Sequence, residues 1–165
     1  MRLASFNVKN LFLAGDAGIA LTKFGARAKR RPELRALARA LINVDADLIA
    51  LQEVGSHAAL TALNDLLTHP YPHLAVVPGN STRGIQLAFA SRVPIQVFSH
   101  ADRVLFDSAG KPVTDFPNAA AAQRQEPVEL RLQRDLLRCD ISWDGIDLSV
   151  FNVHLKSPNQ PRWCL

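Results

Sequence analysis

Apolar residues recur at two different spacings along the chain, and these spacings predict alternating strands and helices in its first half. Arg2 to Val8 mixes β-branched, aromatic and apolar residues, as a strand does. From Pro32 to Asn43 the apolar residues recur at three- and four-residue intervals, which predicts an amphipathic helix with proline in its first turn. Leu48 to Leu51 is a continuously apolar run, typical of a strand buried on both faces. A second helix is predicted from His57 to about Thr68, with Ser56 as its cap.

Strands dominate the remainder of the chain. The segment from Ala101 to Ala122 is long and irregular, with two turn clusters rich in Asp, Ser, Gly, Pro and Asn. The order of elements predicts an α/β layered domain with a largely antiparallel or mixed sheet, and residues 1–165 form a single domain. The predicted strands are Leu74 to Val77, Gly84 to Ser91, Val93 to Ser99, Pro127 to Cys139 with a continuation to Asp144, and Ile146 to Leu155.

Composition and charge narrow the class of protein. The 165 residues are 48% hydrophobic and 21% charged, which is ordinary for a globular protein and excludes a long disordered tail as the main feature. A net charge of +4 suits a polyanionic partner such as nucleic acid or a phosphorylated substrate. Cys139 and Cys164 form neither a metal-ligand spacing nor a disulfide framework. The sequence shows no secretory signal and no run approaching ~18 apolar residues, so we expect a cytoplasmic protein without a membrane span.

Three polar residues stand at the ends of predicted strands, where α/β proteins place their chemistry. Glu53 follows a buried strand, so its carboxylate either meets a hard cation such as Mg²⁺ or is solvated at the start of the next helix. Asn7 offers a carbonyl oxygen to the same ion, or serves as a turn residue. His154 either donates a proton to a phosphoryl oxygen or is a core histidine bonded to a backbone carbonyl.

Taken in order, four segments resemble the motifs of the endonuclease/exonuclease/phosphatase (DNase I-like) family. The segment Ser5–Phe12 resembles the family's first strand, which ends in the metal-site Asn, and Ala46–Val54 resembles the segment whose Glu binds Mg²⁺. The segment Arg83–Ile95 resembles the following strand pair with its Ser-Arg-x-Pro-Ile ending. The segment Asn152–Ser157 resembles the Asn-x-His-Leu motif, whose His is catalytic in the DNase I and sphingomyelinase branches.

The resemblance implies a four-layer α/β sandwich of two similar halves, with the active site between them. It implies a phosphodiester hydrolase with Mg²⁺ as cofactor, or Mn²⁺ as the alternative, and nucleic acid as the favoured substrate. Phosphoinositide phosphatases and sphingomyelinases share the fold and motifs, so their substrates are alternatives. The basic run Arg27 to Arg31 either contacts a nucleic-acid backbone or is a solvated loop cluster. The implied site residues are Asn7 and Glu53 for the metal, His154 for catalysis, and Arg83 and Asn152 for substrate binding.

Two further family motifs, Gly-Asp-x-Asn and Ser-Asp-His, do not occur in the sequence. In the family they follow the Asn-x-His-Leu strand, orient the attacking water and complete the acid–base machinery. We therefore expect an incomplete sandwich, a truncated domain, and little or no hydrolysis by this chain alone. The alternative function is a catalytically inactive fragment or binding module, and an exposed sheet surface would favour self-association.

Overall fold

Two helices and nine strands make up the regular structure that the computed structural model describes, over residues 1–16, 27–81, 83–112, 114–115, 128–129, 131–132 and 135–155. The helices are α1 (Arg31–Val44) and α2 (His57–Asn64). The strands are β1 (Leu3–Leu11), β2 (Leu48–Val54), β3 (His73–Val77), β4 (Gln86–Ser91), β5 (Gln96–Phe98), β6 (Thr114–Asp115), β7 (Val128–Glu129), β8 (Leu136–Trp143) and β9 (Ile146–Val153).

The larger strands form two sheets. The first has the order β1-β2-β4-β3, in which β1 and β2 run parallel and the other neighbours run antiparallel. The second has the order β5-β8-β9 and is antiparallel throughout, while β6 and β7 pair separately. The predicted mixed α/β architecture is therefore confirmed.

In the described part of the chain, the helices pack on one face of the first sheet, and the second sheet packs on its other face. Along β2 the side chains alternate between these two interfaces. Ile49 and Leu51 pack with the buried face of α1, while Leu48 and Ala50 pack with the second sheet. Because both faces of β2 are covered, its sequence is a continuous apolar run rather than an alternating one. The core between the sheets consists of Leu48, Ala50, Leu87, Phe89, Leu137, Cys139 and Ile141.

The structure corrects several predicted boundaries. The strand predicted from Pro127 to Cys139 is not continuous, because Arg131 bridges to Val104 and β8 begins only at Leu136. Helix α2 ends at Asn64, before the predicted Thr68, and the Asn64 side chain then holds the backbone of Tyr71 through two hydrogen bonds of 2.9 and 3.1 Å.

Strands β4 and β5 are also shorter than predicted. Gly84 has a left-handed φ of 65°, so the extended segment begins after it, at Gln86. The strand predicted from Val93 to Ser99 is reduced to Gln96–Phe98. Among the described residues, neither helix combines the length and the apolar character that crossing a bilayer requires.

Candidate functional site

The parallel pairing of β1 and β2 brings the ends of both strands to one edge of the first sheet. Asn7 of β1 lies opposite Gln52 of β2, and beyond this pair both strands bulge. Lys9 and Asn10 lie in the bulge of β1, and Glu53 is the extra residue of β2 relative to β4. Bulges of this kind re-aim a side chain that regular alternation would send into an apolar layer.

The backbone of these bulges is left-handed at three residues that are not glycine. The φ angles are 51° at Lys9, 57° at Asn10 and 65° at Glu53. A residue in this backbone conformation costs about 1–3 kcal/mol of conformational free energy, so the surrounding structure must hold it in place. One such restraint is the backbone N–H of Asn10, which donates a hydrogen bond of 2.9 Å to Oε2 of Glu53. The Glu53 carboxylate is thereby fixed against the bulge of β1.

His154, directly after β9, meets both of these segments. Its Nε2 lies 3.5 Å from Oε1 of Glu53 and 3.5 Å from Nδ2 of Asn7. The Glu53 and His154 side chains are only 15% and 14% exposed, so electrostatic interactions at this position are poorly screened by water. The three residues proposed for the metal and for catalysis therefore lie together at one end of the sheets. Their roles in binding and catalysis remain predictions.

Asn152 lies behind this cluster and is 2% exposed. Its Nδ2 donates to the carbonyl oxygens of Leu51 and Ala88, at 2.9 and 3.1 Å. Its Oδ1 accepts a 2.8 Å hydrogen bond from Nε2 of Gln52. These bonds engage both ends of the amide and connect the two sheets. The substrate-binding role suggested for Asn152 stays a prediction.

Two cationic residues contact the β1 segment that holds Glu53. Arg83 reaches the bulge of β1, where its Nη2 donates a hydrogen bond of 3.2 Å to Oδ1 of Asn10. The backbone N–H of Lys29 donates a 2.8 Å hydrogen bond to the carbonyl oxygen of Phe12, just beyond β1. Burial lowers the pKa of the Lys29 ammonium below its ordinary value, and of the neighbouring carboxylates Glu33 raises it more than Glu53 does. Lys29 is thus within electrostatic reach of the site.

The other residues of the basic run have different surroundings. Arg27 forms a two-pronged ion pair with Glu33, which holds the pKa of that carboxyl well below its usual range. The backbone N–H of Arg30 also donates to Glu33, at 2.9 Å, and Arg31 begins α1. Arg27 and Arg30 of the run are therefore engaged with Glu33, and Lys29 is partly buried.

The residues present fit a magnesium site of the kind with few protein ligands. Mg²⁺ accepts one or two carboxylates and completes its shell with water and substrate oxygens. Glu53 supplies the carboxylate and Asn7 the amide oxygen, although Oδ1 of Asn7 also accepts a 2.8 Å hydrogen bond from the Lys9 N–H. No group of three or more His, Cys, Asp or Glu side chains suited to a metal ion occurs in the described ranges. An ion here would therefore depend on Glu53.

Sequence reasoning missed two residues that shape this site. Gln52 is 7% exposed inside β2, and Nε2 of its amide bonds Ser5, Ala50 and Asn152. A glutamine that interrupts an apolar strand was the available signal, because a buried amide needs several hydrogen-bond partners. Asn10 carried no comparable signal, since its contact with Glu53 uses only the backbone.

Comparison with known proteins extends these observations. Residues 4–146 match the sequence model of the Endonuclease/Exonuclease/phosphatase family, a range that includes Asn7, Glu53 and Arg83. No curated protein matches the chain significantly. The match ends before His154, so the placement of this histidine rests on the structure and the Asn-x-His-Leu resemblance.

Proposed function

The chain belongs to the Endonuclease/Exonuclease/phosphatase family, whose members are phosphodiesterase- and nuclease-type hydrolases, and we propose that it is a Mg²⁺-dependent phosphodiester hydrolase acting on nucleic acid. The observation that carries this proposal is the meeting of Glu53, Asn7 and His154 at one sheet edge. A single carboxylate beside an amide and an imidazole is a donor set suited to a hard cation and a phosphate together.

Each residue has a distinct part in the proposed chemistry. A Mg²⁺ ion, when bound by Glu53 and Asn7, would neutralise charge that develops on the phosphoryl oxygens. His154 is close enough to Glu53 to reach a phosphate held there, and it would bind or protonate a phosphoryl oxygen through Nε2. Arg83 would hold a neighbouring phosphate oxygen. Mn²⁺ is the alternative ion, since it accepts the same oxygen ligands.

The charge around the site supports nucleic acid as the substrate. Lys9 and Asn10 lie in the same bulge of β1, Arg83 bonds the Asn10 side chain, and the whole chain has a net charge of +4. A polyanion with a phosphate every few ångströms gains binding free energy from contacts with several separated cations. A single phosphate monoester can contact fewer of them. Phosphoinositides and sphingomyelin are the alternative substrates within the same fold.

The test is a hydrolysis assay with Mg²⁺ on single- and double-stranded DNA, RNA and bis-p-nitrophenyl phosphate. Glu53→Gln keeps the shape and removes the charge, and we expect it to lower any Mg²⁺-dependent rate by ~10²-fold or more. Asp102→Asn is the matched control, because Asp102 is 96% exposed and its ion-pair partner is Arg131, which is not one of the proposed site residues. Equal rates for the Glu53 variant and the control would contradict the proposal.

A second candidate function is a binding module without catalytic activity. It is favoured by the absence of Gly-Asp-x-Asn and Ser-Asp-His from the sequence, and by the outer face of the second sheet. Phe98, Phe151 and Val153 on that sheet are 40%, 52% and 47% exposed, so the surface offers apolar area to a partner. Mg²⁺ and nucleic-acid binding without any hydrolysis would support this function over the first.

A further inference from the structure

Helix α1 has a row of arginines on the face that points away from the core. Arg31, Arg35 and Arg39 follow one another at four-residue intervals, so they lie within about 80° of the helix circumference and about 6 Å apart along its axis. All three are exposed, whereas Leu34 and Ala38 on the opposite face are buried in the core. The three arginines therefore form a row on the solvent-facing side of the helix.

No carboxylate neutralises this row within the described part of the chain. None of the three arginines has an ion pair or a side-chain hydrogen bond with another described residue. The only acidic residue of α1 is Glu33, which accepts hydrogen bonds from the Arg27 side chain and the Arg30 backbone.

The placement of the arginines also works against the stability of α1. The positions three and four residues away from each arginine hold no acid, but they hold other arginines, and like charges at that spacing destabilise a helix. Arg31 lies in addition in the first turn, at the positive end of the helix dipole. An anionic partner on this face would relieve both effects.

The row leads away from the proposed site towards the far end of the first sheet. Before the helix begins, the backbone N–H of Lys29 donates to the carbonyl oxygen of Phe12, just beyond the end of β1 where Glu53 lies. Where the helix ends, Nη1 of Arg2 donates a 2.9 Å hydrogen bond to the carbonyl oxygen of Val44, beside the beginning of β1. The first and last arginines of the row are about 12 Å apart.

The partner that fits this row is a polyanion with regularly spaced charges. Each strand of a nucleic acid duplex has a phosphate about every 3.4 Å along the axis, so long side chains about 6 Å apart can contact separate phosphates. Guanidinium groups also form two-pronged hydrogen bonds with phosphate. A lipid surface fits less well, because a helix that binds in a membrane interface inserts its apolar face. In α1 that face, with Leu34 and Leu41, is already buried in the core.

We propose that Arg31, Arg35 and Arg39 form a binding surface for the phosphate backbone of nucleic acid, outside the proposed site. The surface holds a stretch of the polymer away from the phosphate to be hydrolysed, and so favours long substrates over short ones. Because its contacts are to phosphates, it binds without sequence preference. Its meaning as a substrate contact rests on the proposed function, but the binding itself needs neither Mg²⁺ nor turnover.

The experiment is fluorescence anisotropy of the full chain with a labelled random-sequence DNA duplex, in EDTA, over a range of KCl concentrations. Arg35→Gln/Arg39→Gln removes two charges and keeps side chains that suit a helix. We expect its Kd to rise by at least about 10-fold, and the slope of log Kd against log salt concentration to fall by about 2, as for two lost phosphate contacts. Arg103→Gln/Lys111→Gln removes the same charge from two exposed positions elsewhere, and should change the slope by less than about 0.5.

A charge-retaining variant separates the charge of the row from the structure of the helix. Arg35→Lys/Arg39→Lys should keep the wild-type slope to within about 0.5, since lysine also neutralises a phosphate. Arg39→Gln alone should lower the slope by about 1, and it decides the question where the double glutamine variant fails to fold in a circular dichroism melt.

Several results would overturn the proposal. They are a glutamine variant that folds and keeps the wild-type slope, a slope change no larger than that of the Arg103/Lys111 control, and an equal loss in the lysine variant. Binding to phosphatidylcholine–phosphatidylserine vesicles through the same arginines, without binding to DNA, would also overturn it. Failure of the wild type to hydrolyse DNA in Mg²⁺ would instead contradict the proposed function, and the anisotropy measurement would still decide whether the row binds DNA.

Discussion

The side-chain amide of Gln52 donates a hydrogen bond of 2.8 Å to Oδ1 of Asn152 across the interface between the two sheets. The two residues are 100 positions apart, and both are buried directly behind the proposed site. Asn152→Leu would leave the Gln52 amide without this partner. We expect a loss of about 1–3 kcal/mol in the free energy of unfolding, measured by urea titration. Gln96→Ala, at an exposed amide of β5, should change it by less than about 0.5 kcal/mol.

Glu53 and His154 should contribute differently to cation binding. Glu53→Gln removes the carboxylate proposed to bind the ion, so we expect Mg²⁺ affinity to fall by at least about 10-fold. His154→Gln removes a ring that lies 3.5 Å from the same carboxylate, and should leave the affinity within a few-fold of the wild type. Titration calorimetry measures both variants. Similar losses in the two would mean that the imidazole is itself a ligand.

Lys29 should contribute to nucleic-acid binding more than an ordinary surface lysine. Its partly buried ammonium feels the charge of Glu33 and, more weakly, that of Glu53, at the proposed phosphate site. Lys29→Ala should weaken DNA binding. It should also reduce the slope of log Kd against log salt concentration by about 1, as expected for the loss of one phosphate contact. Lys111→Ala, at an exposed turn, is the control. Fluorescence anisotropy over a range of KCl concentrations gives both quantities, and identical slopes for the two variants would exclude a special role for Lys29.

The Cys139 thiol should be unreactive in the folded protein. It is 0% exposed between the sheets, and burial raises its pKa from 9.0 to about 11. Because the unfolded thiol ionises first, stability from this group is complete below about pH 9 and is lost as the pH rises towards 11. Iodoacetamide labelling at about pH 8 followed by peptide mass spectrometry should modify Cys139 only after denaturation in urea. Equal labelling in the native protein would show that the two sheets separate readily.

The purified chain should hydrolyse phosphodiesters slowly and should self-associate. The given sequence does not contain the Ser-Asp-His motif to which the resemblance assigns activation of the attacking water, and loss of a general base costs about 10²–10⁴-fold in rate. The exposed Phe98 and Phe151 of the second sheet favour association with a second copy. Light scattering should show oligomers that Phe151→Ser reduces. A monodisperse wild-type monomer, or rates near those of complete enzymes, would contradict these expectations.

The sequence predicted those parts of the fold that depend on local pattern. The strand predicted from the apolar run of β2 and the helix predicted from the spacing in α1 are both present in the structure, because each buries a continuous face. The bulges did not follow from the sequence, since Lys9 and Glu53 adopt a left-handed φ that their side chains do not favour. The pairing of Gln52 with Asn152 depends on how two distant sheets dock, and no local preference encodes it.

Asn7 and His154 meet across 147 positions of sequence, and this separation bears on how the protein is made. Strands β1 to β4, with both helices between them, are complete by Ser91, so the first sheet can form on the ribosome well before β9 has been synthesised. Contacts over such a long separation form late, because the intervening chain must first be closed into a loop. A nascent chain arrested between Ser91 and Ile146 would thus present the Glu53 carboxylate to cations without the imidazole that completes the cluster.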